Sequence, residues 1–249
     1  MKYDLTEVWK GDDPSKLEFL YNAIVAMKEG TAFYGELSCP KRDITDELAD
    51  GCLKIIPPAD IYPEFSDDFT RASPDSSAGR DYVKLPDLKC YGAEKDGLAK
   101  LFLEEATVYE CLKKKPHLNV VKYRGCVVRE GRITGLALVQ YDCTLEQRIK
   151  DGVRILDKER RLECLEGIRA GIAHIHSLGF AQNDLNPTNI MFGDNDTPVI
   201  IDFDSCRPQG EKLNKGGTPG WDEGYLDTSA KENDFLAIEL IRKYLEVWY

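Results

Sequence analysis

Basic residues are in short supply in this 249-residue chain: 33 Lys and Arg stand against 44 Asp and Glu, a net charge of −11. A chain this acidic fits neither nucleic acid nor an anionic membrane surface as a partner, because both need clustered Lys and Arg. Histidine is scarcer, at three. His174 and His176 lie too close along one expected helix to share a face, which argues against a zinc site. The eight cysteines never form a C-x-x-C pair. Several fall inside apolar periodic segments and read as buried thiols of a reduced, intracellular protein, expected in the cytoplasm. No apolar run opens the chain, so no signal peptide is expected. No stretch approaches the roughly 20 apolar residues of a membrane span, and no internal repeat is visible. What is present is apolar material, 42% of residues, enough for one large domain or two small lobes sharing an interface.

The spacing predicts a helix over residues 14–29, with Pro14 near its start, Leu17, Leu20, Tyr21, Ile24 and Val25 at helical intervals, and Gly30 as its stop. Residues 56–80, with four prolines among Ser and Asp, read as loop or extended chain. Tyr82-Val83-Lys84-Leu85 reads as a short strand ended by Pro86. A helix is predicted over 95–113, where Glu105 falls on the apolar stripe of Leu98, Leu101, Phe102, Val108, Tyr109 and Leu112, and Glu104 is turned about 100° away. A carboxylate on an apolar face needs a partner. A hairpin about Glu130-Gly131 is predicted over 120–141. A long helix is predicted over 157–178, with Leu162, Leu165, Ile168, Ile172, Ile175 and Leu178 inward and Gly179 as its stop. A last helix is predicted from about Glu232 to Trp248.

Between these helices lie two loop-and-strand units, residues 182–192 and 199–204. Asp184 and Asn189 stand five apart, and Asp202 follows Asn189 by thirteen at the end of an apolar strand. The polar turn Gly193-Asp194-Asn195-Asp196 with Pro198 between them predicts a hairpin that returns Asp202 beside Asn189. Two carboxylates and an amide oxygen then converge. Hard oxygen ligands of this kind suit Mg²⁺, which takes few protein ligands and keeps water or phosphate oxygens. Phosphoryl transfer uses the same set, a metal to neutralise phosphate and a carboxylate to orient the attacking hydroxyl.

These residues carry a resemblance. Asp184-Leu185-Asn186-Pro187-Thr188-Asn189-Ile190 resembles the catalytic loop of protein kinases, and Ile200-Ile201-Asp202-Phe203-Asp204 resembles their metal-binding D-F-G segment. Gly217-Thr218-Pro219 resembles the end of an activation segment, and Glu232-Asn233-Asp234-Phe235 the start of the helix whose Asp braces the catalytic loop. Upstream, Tyr82-Val83-Lys84 resembles the V-A-I-K strand, Glu105 matches the helical Glu that pairs with that Lys, and Val139-Gln140-Tyr141-Asp142 resembles the adenine-binding hinge. The resemblance covers about residues 80–245. It is particularly similar to fungal protein-kinase-like proteins with N-D-[IL]-N-P-x-N-I-M and V-I-I-D-F-D-S-C-R motifs.

The resemblance implies an α+β, bilobal protein kinase-like fold: a helical extension over 1–50, a β-rich N-lobe over 51–142 and a shortened helical C-lobe over 143–249. It implies an ATP- and Mg²⁺- (or Mn²⁺-) dependent phosphotransferase of the Ser/Thr type. Asp184 would be the base, Asn189 and Asp202 the metal ligands, and Lys84 the phosphate contact held by Glu105. Val139 would be the gatekeeper, with Gln140 and Asp142 at the base. The acceptor would be a protein or small-molecule hydroxyl. Lys54 is the competing lysine, but no helix follows it at kinase spacing.

Departures point to alternatives, a pseudokinase or a small-molecule kinase. No G-x-G-x-x-G precedes Lys84; Ser76-Ser77-Ala78-Gly79 is the nearest candidate. Gln182-Asn183-Asp184 replaces H-R-D, removing a packing support and the usual reader of a phosphorylated activation loop. Asn186 stands where a Lys usually touches the γ-phosphate, and Asp204 replaces a glycine. No A-P-E follows, and with the sequence stopping at Tyr249 the usual peptide groove is not expected.

Overall fold

Glu29-Gly30 turns a hairpin rather than ending a helix. Glu29 and Gly30 both adopt left-handed backbone, φ 49° and 81°, as in the two-residue turn whose twist matches antiparallel strands. The computed structural model describes residues 2–10, 16–73, 81–92, 97–150, 157–213, 217–221 and 227–247. Pro14, the candidate phosphate loop Ser76-Ser77-Ala78-Gly79 and Trp248 lie outside the described residues.

The first part of the chain is a sheet. Strands β1 (Tyr3–Lys10), β2 (Glu18–Lys28) and β3 (Thr31–Leu37) run antiparallel. After helix α1 (Asp46–Cys52), the short β4 (Lys54–Ile55) completes the order β1-β2-β3-β4. The helix predicted over 14–29, and with it the helical character of residues 1–50, is therefore corrected. Asn22 to Ala26 are buried at five consecutive positions, which a strand covered on both faces produces and an amphipathic helix does not. Leu17 and Leu20, needed for the helical stripe, are exposed.

One face carries Ala23, Val25 and Tyr34, packed with Ile56, Ile61, Tyr91 and Leu98. On the other, α1 lies so near that a Cβ on Gly35 would meet the Cys52 backbone at 2.8 Å. The Thr45 side chain caps α1 by accepting from Leu48 N at 3.3 Å. Residues 56–73 are mostly irregular, as expected, with one helical turn, α2 (Pro58–Ile61), begun by a proline at its first position.

The described chain forms two compact units. The first comprises Met1–Ser66, Leu85–Leu103 and Val128–Gly135; the second comprises Asp67–Lys84, Glu104–Val127 and Leu136–Tyr249. Strand β5 (Asp81–Lys84) precedes helix α3 (Leu98–Lys114) and the hairpin of β6 (Tyr123–Arg129) and β7 (Arg132–Val139). Glu130 and Gly131 make that turn at φ 49° and 74°. In the second unit β5 pairs with β7, setting Tyr82 opposite Leu138 and Lys84 opposite Leu136.

Helix α4 (Leu145–Lys150) opens on a reciprocal capping box: Thr144 Oγ1 accepts from Gln147 N at 3.1 Å, and Gln147 Oε1 accepts from Thr144 N at 2.9 Å. Helix α5 (Lys158–Ser177) is capped by Asp157, which accepts from Arg160 N at 2.9 Å, and closed by Gly179 at φ 88°. It buries Leu165, Ile168, Ile172 and Ile175, but Leu162, expected inward, is exposed. Strands β8 (Phe180–Ala181), β9 (Ile190–Phe192), β10 (Pro198–Ile200) and β11 (Arg207–Pro208) follow. They pair as β9 with β10 and β8 with β11, ahead of helix α6 (Lys231–Val247).

Candidate active site

Every contact of the site described here lies within the second unit. Its anchor is Asp234, in the first turn of α6 and fully buried. A buried carboxylate requires filled lone pairs. Its oxygens accept from Gln182 N at 2.9 Å and Asn183 N at 2.8 Å, and pair with His176 Nε2 at 2.7 Å. This is the bracing expected of Asp234. It holds Asn183 in left-handed backbone, φ 64°, which Asn tolerates. The Asn183 side chain turns inward, donating to Ser205 O and Ser229 Oγ, both at 3.0 Å, and accepting from Asn233 Nδ2 at 3.0 Å.

Gln182 is also fully buried. Its Oε1 accepts from Asp184 N at 2.6 Å and its Nε2 donates to the Asp202 carbonyl at 3.0 Å. The support expected to be lost with histidine at this position is supplied by hydrogen bonds.

Asp184 is 9% exposed. Its Oδ1 accepts from Thr218 N and Oγ1, both at 2.7 Å, and from Asn186 Nδ2 at 3.2 Å; Oδ2 accepts from Asn189 Nδ2 at 3.3 Å. Asn186 does not reach outward as a lysine there would: its Oδ1 accepts from Thr188 N at 2.9 Å and its Nδ2 donates to Thr218 Oγ1 at 3.1 Å. The β9–β10 hairpin brings Asp202 back to Asn189, with Ile201 N donating to the Asn189 carbonyl at 2.9 Å.

Lys84 Nζ lies 2.5 Å from Glu105 Oε1 and 2.6 Å from Asp202 Oδ1. The partner required by the buried Glu105 is therefore Lys84. Burial pushes the Glu105 carboxyl up to about 7, with Lys84 opposing and Asp202 and Asp204 adding to it. Burial disfavours the Lys84 cation, but Glu105, Tyr109, Asp202 and Asp204 outweigh it and hold its pKa well above the ordinary lysine value. Lys54 sits exposed on β4 of the first unit.

A cavity of about 330 Å³ adjoins Lys84 and Asp202, lined also by Tyr82, Val139, Gln140, Tyr141 and Met191. Its walls are largely apolar with a charged end, the make-up of a small-ligand site. Asp142 stands exposed and does not line it. Tyr82 went unrecognised in the sequence, although a residue two before Lys84 on a strand shares its face. Thr218 had no assigned role, because its partner Asp184 is 34 residues away.

Asn189 Oδ1 and Asp202 Oδ2 have no hydrogen-bond partner among the described residues. Two open hard oxygens fit a divalent cation that completes its shell with water and phosphate. Among the described residues no group of three or more His, Cys, Asp or Glu forms a metal cage.

Residues 84–245 match the family described as "Protein kinase domain". The chain belongs to the protein kinase family. Its kinase match starts at Lys84, so the sheet β1–β4 precedes it. A 59-residue stretch is 42% identical to serine/threonine-protein kinase 16 of Mus musculus, covering 24% of this chain and 19% of that protein. Over 126 residues it is 27% identical to serine/threonine-protein kinase Tao of Drosophila melanogaster, covering 47% of this chain and 12% of that protein. The chain thus spans under a fifth of the length of these two relatives. Among solved structures, a chain of the yeast RNA Pol II CTD kinase CTDK-1 complex aligns with a TM-score of 0.54 at 15% identity, covering 63% of this chain and 53% of that one. The fold is α+β and kinase-like. Kinases use a nucleoside triphosphate with a divalent metal.

Proposed function

We propose that the chain is an ATP- and Mg²⁺-dependent phosphotransferase of the Ser/Thr kinase type. The single observation that carries this reading is Lys84 held between Glu105 and Asp202, at 2.5 and 2.6 Å, at the charged end of an apolar cavity. In this reading Lys84 contacts the phosphates. Asn189 and Asp202 hold the metal, which supplies charge neutralisation at the phosphates when bound. Asp184 orients the acceptor hydroxyl and takes its proton. Val139, Gln140 and Tyr141 border the adenine. The acceptor is a protein or small-molecule hydroxyl.

One observation favours a second reading, nucleotide binding without fast transfer. The Asp184 carboxylate is already engaged by Thr218, Asn186 and Asn189, and Asn186 replaces a cation. The two are separated by γ-phosphate transfer or autophosphorylation with Mg²⁺ or Mn²⁺, comparing the native chain with Asp184→Ala. Metal-dependent turnover that Asp184→Ala abolishes supports the first. A metal-dependent ATP thermal shift without turnover supports the second.

A further inference from the structure

Arg207 has no part in these roles, yet it is one of the most buried cations of the second unit. Its side chain is 7% exposed, and Nη2 lies 3.0 Å from Glu104 Oε2. Nη1 donates to the Cys206 carbonyl at 2.9 Å, and the Arg207 carbonyl accepts from Ser229 Oγ at 3.0 Å. In the β8–β11 pair Arg207 stands opposite Ala181, the residue before Gln182. Arg207 is thus fastened on the loop side by backbone, while its guanidinium reaches α3.

Glu104 and Glu105 are consecutive, so their side chains leave α3 about 100° apart. Glu105 accepts a hydrogen bond from Lys84, and Arg207 faces Glu104 as an ion pair at 3.0 Å, without a hydrogen bond to Oε2. Glu110, further along α3, accepts from Thr70 N at 2.7 Å and from Thr70 Oγ1 at 3.0 Å, so Arg207 adds a hold at a third angle, next to Glu105 itself, where it limits roll of the turn that meets Lys84. A buried guanidinium left unpaired is strongly unfavourable, so Arg207 favours the one orientation of α3 that presents Glu104 to it.

Described residues of the segment after Asp202 are tied together through the backbone. Gly210 N donates to Ser229 O and Ser229 N to Glu211 O, both at 2.8 Å, and Leu213 N donates to Asp227 O at 2.9 Å. Asn183, in place of a cation, holds Ser205 and Ser229 through neutral hydrogen bonds.

We propose that Arg207 is a positioning residue that locks α3 in the orientation in which Glu105 holds Lys84, so that the nucleotide site is assembled without phosphorylation of the segment after Asp202. The consequence for nucleotide use rests on the phosphotransferase reading; the effect on α3 does not.

The test uses the full chain treated with phosphatase, as native protein and as Glu104→Gln, Arg207→Met, Arg207→Lys and the Glu104→Gln/Arg207→Met double variant. Amide exchange over residues 104–114 is read without nucleotide, and KM for ATP against kcat with Mg²⁺. Glu104→Gln and Arg207→Met should each speed α3 exchange on the order of tenfold and raise KM several-fold, with the double variant no worse than the worse single. Arg207→Lys, which keeps the charge, should stay near the native protein. Glu104→Gln is at a partly exposed side chain and guards against a variant that fails to fold. Native-like exchange in Glu104→Gln overturns the proposal, as does a native chain whose α3 protection is lost on phosphatase treatment. A native chain that neither binds nor turns over ATP refutes the phosphotransferase reading, while α3 exchange still decides the role of Arg207.

Discussion

Lowering the pH from 8 to 6 should weaken nucleotide binding through Glu105. Burial, with Asp202 and Asp204 adding and Lys84 opposing, sets its carboxyl at about 7, against an ordinary 4.5. The sign for stability follows from the folded value lying above the unfolded one. Between about 4.5 and 7 the folded chain keeps a proton that the unfolded chain has released. Stability therefore falls as pH rises through that window, by about 1.4 kcal/mol per unit, because deprotonation stabilises only the unfolded chain there. Nucleotide binding runs the other way. A metal at Asp202 adds positive charge beside the pair and favours ionised Glu105, so the complex must expel the proton below pH 7. The dissociation constant then scales as 1 + 10^(7 − pH), about 1.1 at pH 8 and about 11 at pH 6, a tenfold loss or about 1.4 kcal/mol. Titration calorimetry with a nonhydrolysable ATP analogue and Mg²⁺, in buffers of different ionisation heat, reads both the affinity and the released proton. Glu105→Gln has no proton to lose. It should bind more weakly and keep only the slope of the nucleotide's own phosphate, whose second pKa is about 6. Equal pH slopes for the native chain and Glu105→Gln would refute the reasoning.

Three further outcomes are expected. Asp234→Ala leaves the buried N–H groups of Gln182 and Asn183 without acceptors, and should cost about 2–5 kcal/mol in urea unfolding while loosening the Asp184 loop. Tyr82→Ala should raise the dissociation constant for ATP about three- to tenfold by removing an aromatic wall of the cavity, whereas Tyr82→Phe should leave it unchanged. Ile24→Ala, at a position with 0% exposure in the middle of β2, should cost about 2–5 kcal/mol in thermal unfolding. A surface-helix residue would lose far less, so the same melt tests the strand assignment.

How much was legible depended on the range of the force involved. The Glu130-Gly131 hairpin, the course of α5 to Gly179 and the stripe on α3 that singled out Glu105 all follow from chemistry within a few residues. So did the β9–β10 hairpin, with its polar turn between two apolar strands. The first sheet was not legible. Leu20, Tyr21, Ile24 and Val25 satisfy a helical interval, but the stretch from Asn22 to Ala26, buried at every position, satisfies a strand. Only pairing with β1 and β3 decides between them. The local signal is the Glu29-Gly30 turn, and a glycine after an apolar run ends a helix as readily as it turns a hairpin. Leu162 shows the same limit: its periodicity is helical, but it is exposed.

By itself the sequence determined the element types around the site, the identities of Asp184, Asn189 and Asp202, and the need of Glu105 for a cation. Turn residues, caps and apolar periodicity act locally, and the chain carries them in full. The kinase resemblance already paired Glu105 with Lys84; the tertiary structure alone decided that Lys84 also reaches an aspartate 118 residues away, that Thr218 and Asn186 engage Asp184, and that Gln182 replaces a lost support. It also decided that Arg207 forms an ion pair with Glu104. These are contacts between segments far apart in the chain, and their partners are selected by how the strands and helices pack, which no local pattern encodes.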